Sequence, residues 1–254
     1  MNTFLKKIAL LIGILLVASC GDKNTQEPDD PTPSPSTPES PFPDVLVGEW
    51  HFYSGNPVSF LSDYQENNIY NQILTFTTTG NLSEELLVPK DPWNQDVKEE
   101  KYYGNWSVNN NKINLNTFDG DPININVSYS IVGDALHITS NGKTSVFYKK
   151  EKLVSLRGEA LLRIWYNSVN GREPSQKIRF ESDGVGYIDK TIIDNMWSSY
   201  HFNWNLSGDI LSIKYDSDVR TYKYTFGVLS KRCLILKSDD SFASLRNRCF
   251  LSFF

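Results

Sequence analysis

Few residues in this chain have types and spacing that suit chemistry. Three histidines, His51, His137 and His201, are scattered, and none has a second ligand at metal-binding spacing. His137 stands between Leu136 and Ile138 in an alternating stretch, so it points away from them and toward solvent. Neither a G-x-S-x-G elbow nor a phosphate-cradling glycine loop occurs. The acidic stretch VKEEK at 97–101 reads as a solvated loop. No pattern asks for a metal or an organic cofactor, and the expectation is a protein that is not an enzyme. Three cysteines remain. Cys233 and Cys249 lie in apolar runs, KRCLIL and NRCFLSFF, that suit neighbouring antiparallel strands. In an exported chain they are either a disulfide or two separate buried thiols. Two tryptophans also stand apart: Trp93 and Trp197 sit in the polar stretches DPWNQD and DNMWSSY. Aromatics so placed stack on a sugar ring or an apolar ligand, or else plug the end of a barrel.

Cys20 has a different setting. Lys6 and Lys7 precede an apolar run, Ile8 to Val17, and small residues Ala18 and Ser19 follow. This is the layout of an export signal, and the run is too short to span a membrane. Val17-Ala18-Ser19-Cys20 resembles the lipobox of bacterial lipoproteins, in which an aliphatic and two small residues precede the cysteine. The resemblance implies cleavage after Ser19, so that residues 1–19 are a lipoprotein signal peptide, and acylation of Cys20. Stable anchoring needs more than one acyl chain, and a triacylated cysteine meets that need. The partner implied is a membrane, and the place is the cell envelope, lipid-anchored, at the outer membrane.

Residues 20–44 hold seven of the chain's twelve prolines among Ser, Thr, Asp and Glu. Such a segment has too little apolar surface to offset its ordering entropy, so a disordered linker is expected. Its prolines favour extended polyproline II, a spacer of up to about 70 Å. Loss of Lys6 and Lys7 moves the formal charge from −5 to −7. With no basic cluster, that balance argues against nucleic acid.

From Leu46 onward the apolar pattern has period two. ININVSYSIV, SVFY, FNWNL and TYKYTF each alternate an apolar or aromatic residue with a polar one, which suits strands with one buried face. Turn signals such as Asn109-Asn110-Asn111, Asn141-Gly142 and Ser207-Gly208-Asp209 separate them. The best helix candidate is 57–70. The pattern also occurs twice. LVGEW at 46–50 is echoed by LRGEA at 156–160, ILTFTTTGNL at 73–82 by KIRFESDGVG at 177–186, and GNWSVNNNKINL at 104–115 by FNWNLSGDILSI at 202–213. Two domains are expected, at 45–151 and 152–254. Each has about eight strands in up-and-down order, the first strand of the second domain covering 156–166. Eight such strands can close into a barrel and remove exposed edges.

The opening L-x-G-x-W, then F-x-x-x-G, then G-x-W resembles the lipocalin-like domains of Bacteroidetes-type lipoproteins. The first repeat carries Leu46, Gly48 and Trp50, Phe76 with Gly80, and Gly104 with Trp106. The second departs twice: Ala160 stands for the opening tryptophan and Phe202 for the glycine before Asn203-Trp204, leaving Trp165 to fill the barrel start. The resemblance implies an all-β chain of two tandem eight-stranded barrels. Two functions fit it: binding of a small apolar or glycan ligand, or an interaction module with filled barrels for an envelope protein partner. An enclosed aromatic pocket would favour the first and solid cores the second.

Overall fold

The computed structural model describes residues 42–57, 59–60, 68–90, 96–118, 121–167, 175–191, 197–245 and 248–252. Cys20, Trp93, the signal segment and nearly all of the linker lie outside these residues, as do positions 58 and 61–67 of the candidate helix 57–70.

Eight strands come first: β1 (Gly48–Gly55), β2 (Asn71–Phe76), β3 (Asn81–Pro89), β4 (Val97–Asn109), β5 (Lys112–Phe118), β6 (Asp121–Val132), β7 (Ala135–Ser140) and β8 (Lys143–Lys149). Each pairs antiparallel with the next, and β8 closes on β1 through His51↔Tyr148 and Phe52↔Phe147. A helix, α1 (Lys150–Leu161), follows. The second set is β9 (Ile164–Tyr166), β10 (Gln176–Phe180), β11 (Val185–Thr191), β12 (Trp197–Ser207), β13 (Ile210–Tyr215), β14 (Tyr222–Leu229), β15 (Cys233–Lys237) and β16 (Cys249–Leu251). It closes where Leu251 pairs with Tyr166. Among the described residues the fold is therefore all-β apart from α1, with two tandem up-and-down barrels.

Alternation builds both walls. In β2 the buried residues are Gln72, Leu74 and Phe76; in β10 they are Gln176, Ile178 and Phe180. The hairpins between them use residues that tolerate positive φ. Asn110 and Asn111 sit at 52° and 57°, and Asn141-Gly142 at 49° and 75°, the geometry of two-residue turns whose twist matches the strands. The F-x-x-x-G repeat has a structural meaning as well. Gly80 and Gly184 adopt φ of 80° and 84°, and their carbonyls accept from the backbone N–H of Trp106 (2.8 Å) and Trp204 (2.7 Å). Each indole then donates into the same turn, Trp106 Nε1 to Thr77 O at 3.2 Å and Trp204 Nε1 to Glu181 O at 3.1 Å.

The entry to the second barrel differs from the expected strand over 156–166. Residues 150–161 are helical and only Ile164–Tyr166 pair. The counterpart of LVGEW is LLRIW at 161–165. Trp50 Nε1 donates to Leu46 O at 2.8 Å, and Trp165 Nε1 donates to Leu161 O at 3.1 Å. What the repeats share is a leucine four residues before a buried tryptophan. Ala160 therefore replaces nothing; Trp165, fully buried, is the opening tryptophan. Phe202 is accommodated by a size exchange. Barrel 1 sets Leu82 opposite Gly104, whereas barrel 2 sets Gly186 opposite Phe202. A Cβ on Gly186 would lie 2.1 Å from the Phe202 ring.

Side chains occupy both barrel interiors. Trp50, Phe52, Phe76, Trp106 and Phe147 fill the first, with Phe42 meeting Trp106 edge-on at 5.4 Å. Trp165, Phe180, Phe202, Leu236 and Phe250 fill the second, joined by Leu245 from the segment before β16. Small eight-stranded barrels commonly reach this packed state.

Candidate functional site

The barrels meet along a seam made by the outer wall of the second. On β15 and β16, Leu234, Leu236 and Phe250 point inward, so Cys233, Ile235, Cys249 and Leu251 point out. These pack against Tyr70, Leu87 and Val97 of barrel 1. A polar clasp lies beside this cluster. The Lys231 N–H donates to Tyr53 O at 2.6 Å. The Tyr53 hydroxyl donates to Glu159 Oε1 at 3.4 Å, and the Lys231 ammonium stands 2.8 Å from the same oxygen. Burial, reinforced by the Glu159 charge, pushes the Tyr53 phenol up to about 12. The hydrogen bond from Lys231 holds the Glu159 carboxyl below its usual range. Burial likewise takes Tyr70 up to about 12.

Cys233 and Cys249 are the predicted residues that the fold brings together. Both are buried free thiols, their Sγ atoms 3.7 Å apart on adjacent strands. The hydrogen bond to Cys249 and complete burial push the Cys233 thiol well above its usual range. Trp197 lies elsewhere. As the first residue of β12 it sits on the outward parity with Ser199 and His201, 39% exposed, with the Lys177 ammonium 4.1 Å from its ring centroid. His201 meets Tyr187 edge-on at 4.8 Å, and His51 Nε2 lies 2.6 Å from Glu49 Oε1. Among the described residues no three His, Cys, Asp or Glu side chains converge as a metal site.

Next to the seam opens a cleft of about 290 Å³. One wall is the outside of barrel 1. The registers His51↔Ile73, Ile73↔Glu85 and Leu87↔Glu99 set these side chains next to one another. The other wall is α1, which presents Lys150, Leu153 and Arg157 from one helical stripe. A bulge in β14 between Phe226 and Val228 completes it. Bulges re-aim backbone and side chains and recur beside functional sites. The Glu85 carboxylate accepts from Lys101, and Arg157 pairs with Asp209 while lying 5.0 Å over the Phe226 ring. Glu99 and Lys150 make no ion pair among the described residues.

One buried group went unnoticed in the sequence. Glu84 is fully buried inside barrel 1, accepting from Gln72 Nε2, from the Phe60 N–H at 3.3 Å and from Ser59 Oγ at 3.5 Å. Its signal was the inward parity it shares with Leu82 and Leu86. The cleft had no such signal, because its walls come from strands and a helix far apart in sequence.

No family model and no solved structure matches the chain. Among curated proteins it is similar to Dirigent protein 8 of Arabidopsis thaliana, with 57% identity over 44 residues. That match covers 17% of this chain and 22% of the plant protein, so it spans about a fifth of the relative's length and assigns no family.

Proposed function

We propose that this chain is an exported lipoprotein, anchored through Cys20 at the outer membrane, whose barrels serve as filled scaffolds and which binds a small ligand without transforming it. The observation that carries the binding reading is a contrast. Aromatic and aliphatic side chains occupy both barrel interiors, while the cleft beside the seam stays open with charged, polar and apolar lining. Mixed concave surfaces of this kind are where small ligands bind. The anchor reading is supported by the order of signal, small residues, cysteine and proline-rich spacer.

Mass spectrometry of the native protein tests both parts. The expected mature chain starts at Cys20 and carries acyl mass, and Cys20→Ser is expected to release the protein from membranes. A native spectrum is expected to show a bound small molecule that Leu153→Trp, which fills the cleft, removes. A chain beginning before Cys20, or one lacking acyl mass, overturns the anchor. A second reading, an interaction module for an envelope protein, is favoured by the filled barrel interiors, the outcome expected of such a module, and by the exposed outer wall of β10 to β12, where Lys177 covers Trp197 and Arg179 lies 4.5 Å over Tyr187. A native spectrum free of small molecules, with a protein cross-linked to Trp197, would favour it.

A further inference from the structure

We infer that the cleft takes a small zwitterion with an apolar body, the chemical class of a free apolar α-amino acid. The inference rests on the seam-binding reading above and adds the ligand's chemistry. Its first support is size. At about 290 Å³ the cleft lies at the small end of ligand sites, which run from roughly 300 to 1,000 Å³. An acyl chain or an oligosaccharide exceeds it; a single metabolite does not.

The second support is the sign of charge on each wall. Glu85 and Glu99 stand on the barrel 1 wall, and Lys150 and Arg157 on the helix wall. Two of these four are already engaged: Glu85 by Lys101, Arg157 by Asp209. Glu99 and Lys150 make no ion pair among the described residues, and they face the cleft from opposite sides. A ligand with a single charge would partly desolvate both ions and satisfy one, leaving the other unpaired at a cost. A ligand carrying an ammonium and a carboxylate satisfies both, the ammonium at Glu99 and the carboxylate at Lys150.

The lining decides what lies between the charges. Ile73, Leu87, Leu153, Val228 and Leu229 offer apolar surface, with the polar side chains of His51 and Asn71 beside them. An aliphatic or aromatic side chain laid against these apolar residues gains from leaving water, a gain that hydroxyls do not make.

Titration calorimetry on the purified full chain at low ionic strength, with L-leucine and L-phenylalanine as probes, tests the inference. Both are expected to bind. N-acetyl-L-leucine, which lacks the ammonium, and L-leucinamide, which lacks the carboxylate, are each expected to bind about tenfold more weakly. Glu99→Gln should abolish the penalty for N-acetyl-L-leucine alone, and Lys150→Gln the penalty for L-leucinamide alone. Leu153→Trp should abolish binding of every probe, with circular dichroism and thermal midpoint showing that all three variants remain folded. Absence of heat from both amino acids at millimolar concentration overturns the inference, as does binding that ignores Glu99→Gln and Lys150→Gln. If leucine fails but another co-purifying molecule disappears in Leu153→Trp, the zwitterion class falls and the seam reading stands. If that molecule persists in Leu153→Trp, both fall.

Discussion

Gly186 and Phe202 of barrel 2 occupy the cross-strand positions that Leu82 and Gly104 hold in barrel 1, with large and small exchanged across the pair. The exchange preserves volume on the inner face, which is what a close-packed interior requires. Breaking it one residue at a time should be costly in opposite ways. Gly186→Leu drives a side chain into the Phe202 ring and is expected to lower the unfolding free energy by about 2–3 kcal/mol. Phe202→Gly empties the interior and is expected to cost at least about 3 kcal/mol. The double variant rebuilds the barrel 1 arrangement, so its loss in urea unfolding should be well below the sum of the two; simple additivity would show that the residues do not share one space. The Phe202 departure was visible in the sequence, but its compensation was not. Nothing local marks Gly186 as the partner of Phe202; only the register places the two across from each other. Glu84 shows the converse. Its inward parity was readable, yet a glutamate in a strand is ordinarily read as solvated, and only the donors of Gln72, Ser59 and Phe60 explain its burial.

At the scale of elements, strands such as β2, β10 and β12 follow the period-two pattern because a barrel wall buries one face and solvates the other, while β15 and β16 are buried on both faces at the seam. The reading fails at VKEEK, which opens β4 and pairs with β3 instead of forming a solvated loop, and in the segment before β9. Gly158-Glu159 matches Gly48-Glu49 by chance, and that match drew 156–166 into a strand, whereas KEKLVSLRGEAL at 150–161 is helical. Its composition favours helix: Lys, Glu, Leu, Arg and Ala dominate, and β-branched residues are limited to Val154. The helix makes possible the stripe of Lys150, Leu153 and Arg157 that walls the cleft, since a strand would send alternate residues to opposite faces. Gly158 offers a direct check. It lies inside the helix, and a Cβ there meets nothing within 4 Å. Gly158→Ala should therefore stabilise the chain by roughly 0.5–1 kcal/mol through helix propensity. A rise in thermal midpoint with unchanged ligand heats would agree with this; a loss of stability would contradict the helical assignment of this segment.

For the whole molecule the decisive feature is the seam, which no local pattern encodes because it joins residues from both barrels and the helix between them. Two of its phenols carry a pH dependence. Tyr53 and Tyr70 are pushed up to about 12 in the folded chain, whereas an unfolded tyrosine ionises near 10. Above pH 10 the unfolded chain sheds protons that the folded chain keeps, so stability is flat with respect to these groups below about pH 10 and falls as pH rises toward about 12. Replacing either tyrosine with phenylalanine should flatten that decline in urea titrations; an unchanged slope would mean the phenol is not held neutral by the seam. The thiols report on the same contact from the other side. Cys233 and Cys249 face outward from barrel 2 and are buried because barrel 1 covers them, beside the clasp of Lys231, Glu159 and Tyr53. A reagent can reach them only when the seam opens, an event with its own free energy below that of global unfolding. In the reduced native chain a maleimide should therefore leave both thiols unlabelled over times that fully modify Cys20 in an unacylated form, and unfolding should expose both. Lys231→Ala removes the ammonium from Glu159 and should raise the native labelling rate several-fold without exposing the barrel interiors. Rapid labelling of the wild-type chain, or a rate indifferent to Lys231, would mean that the clasp does not hold the barrels together.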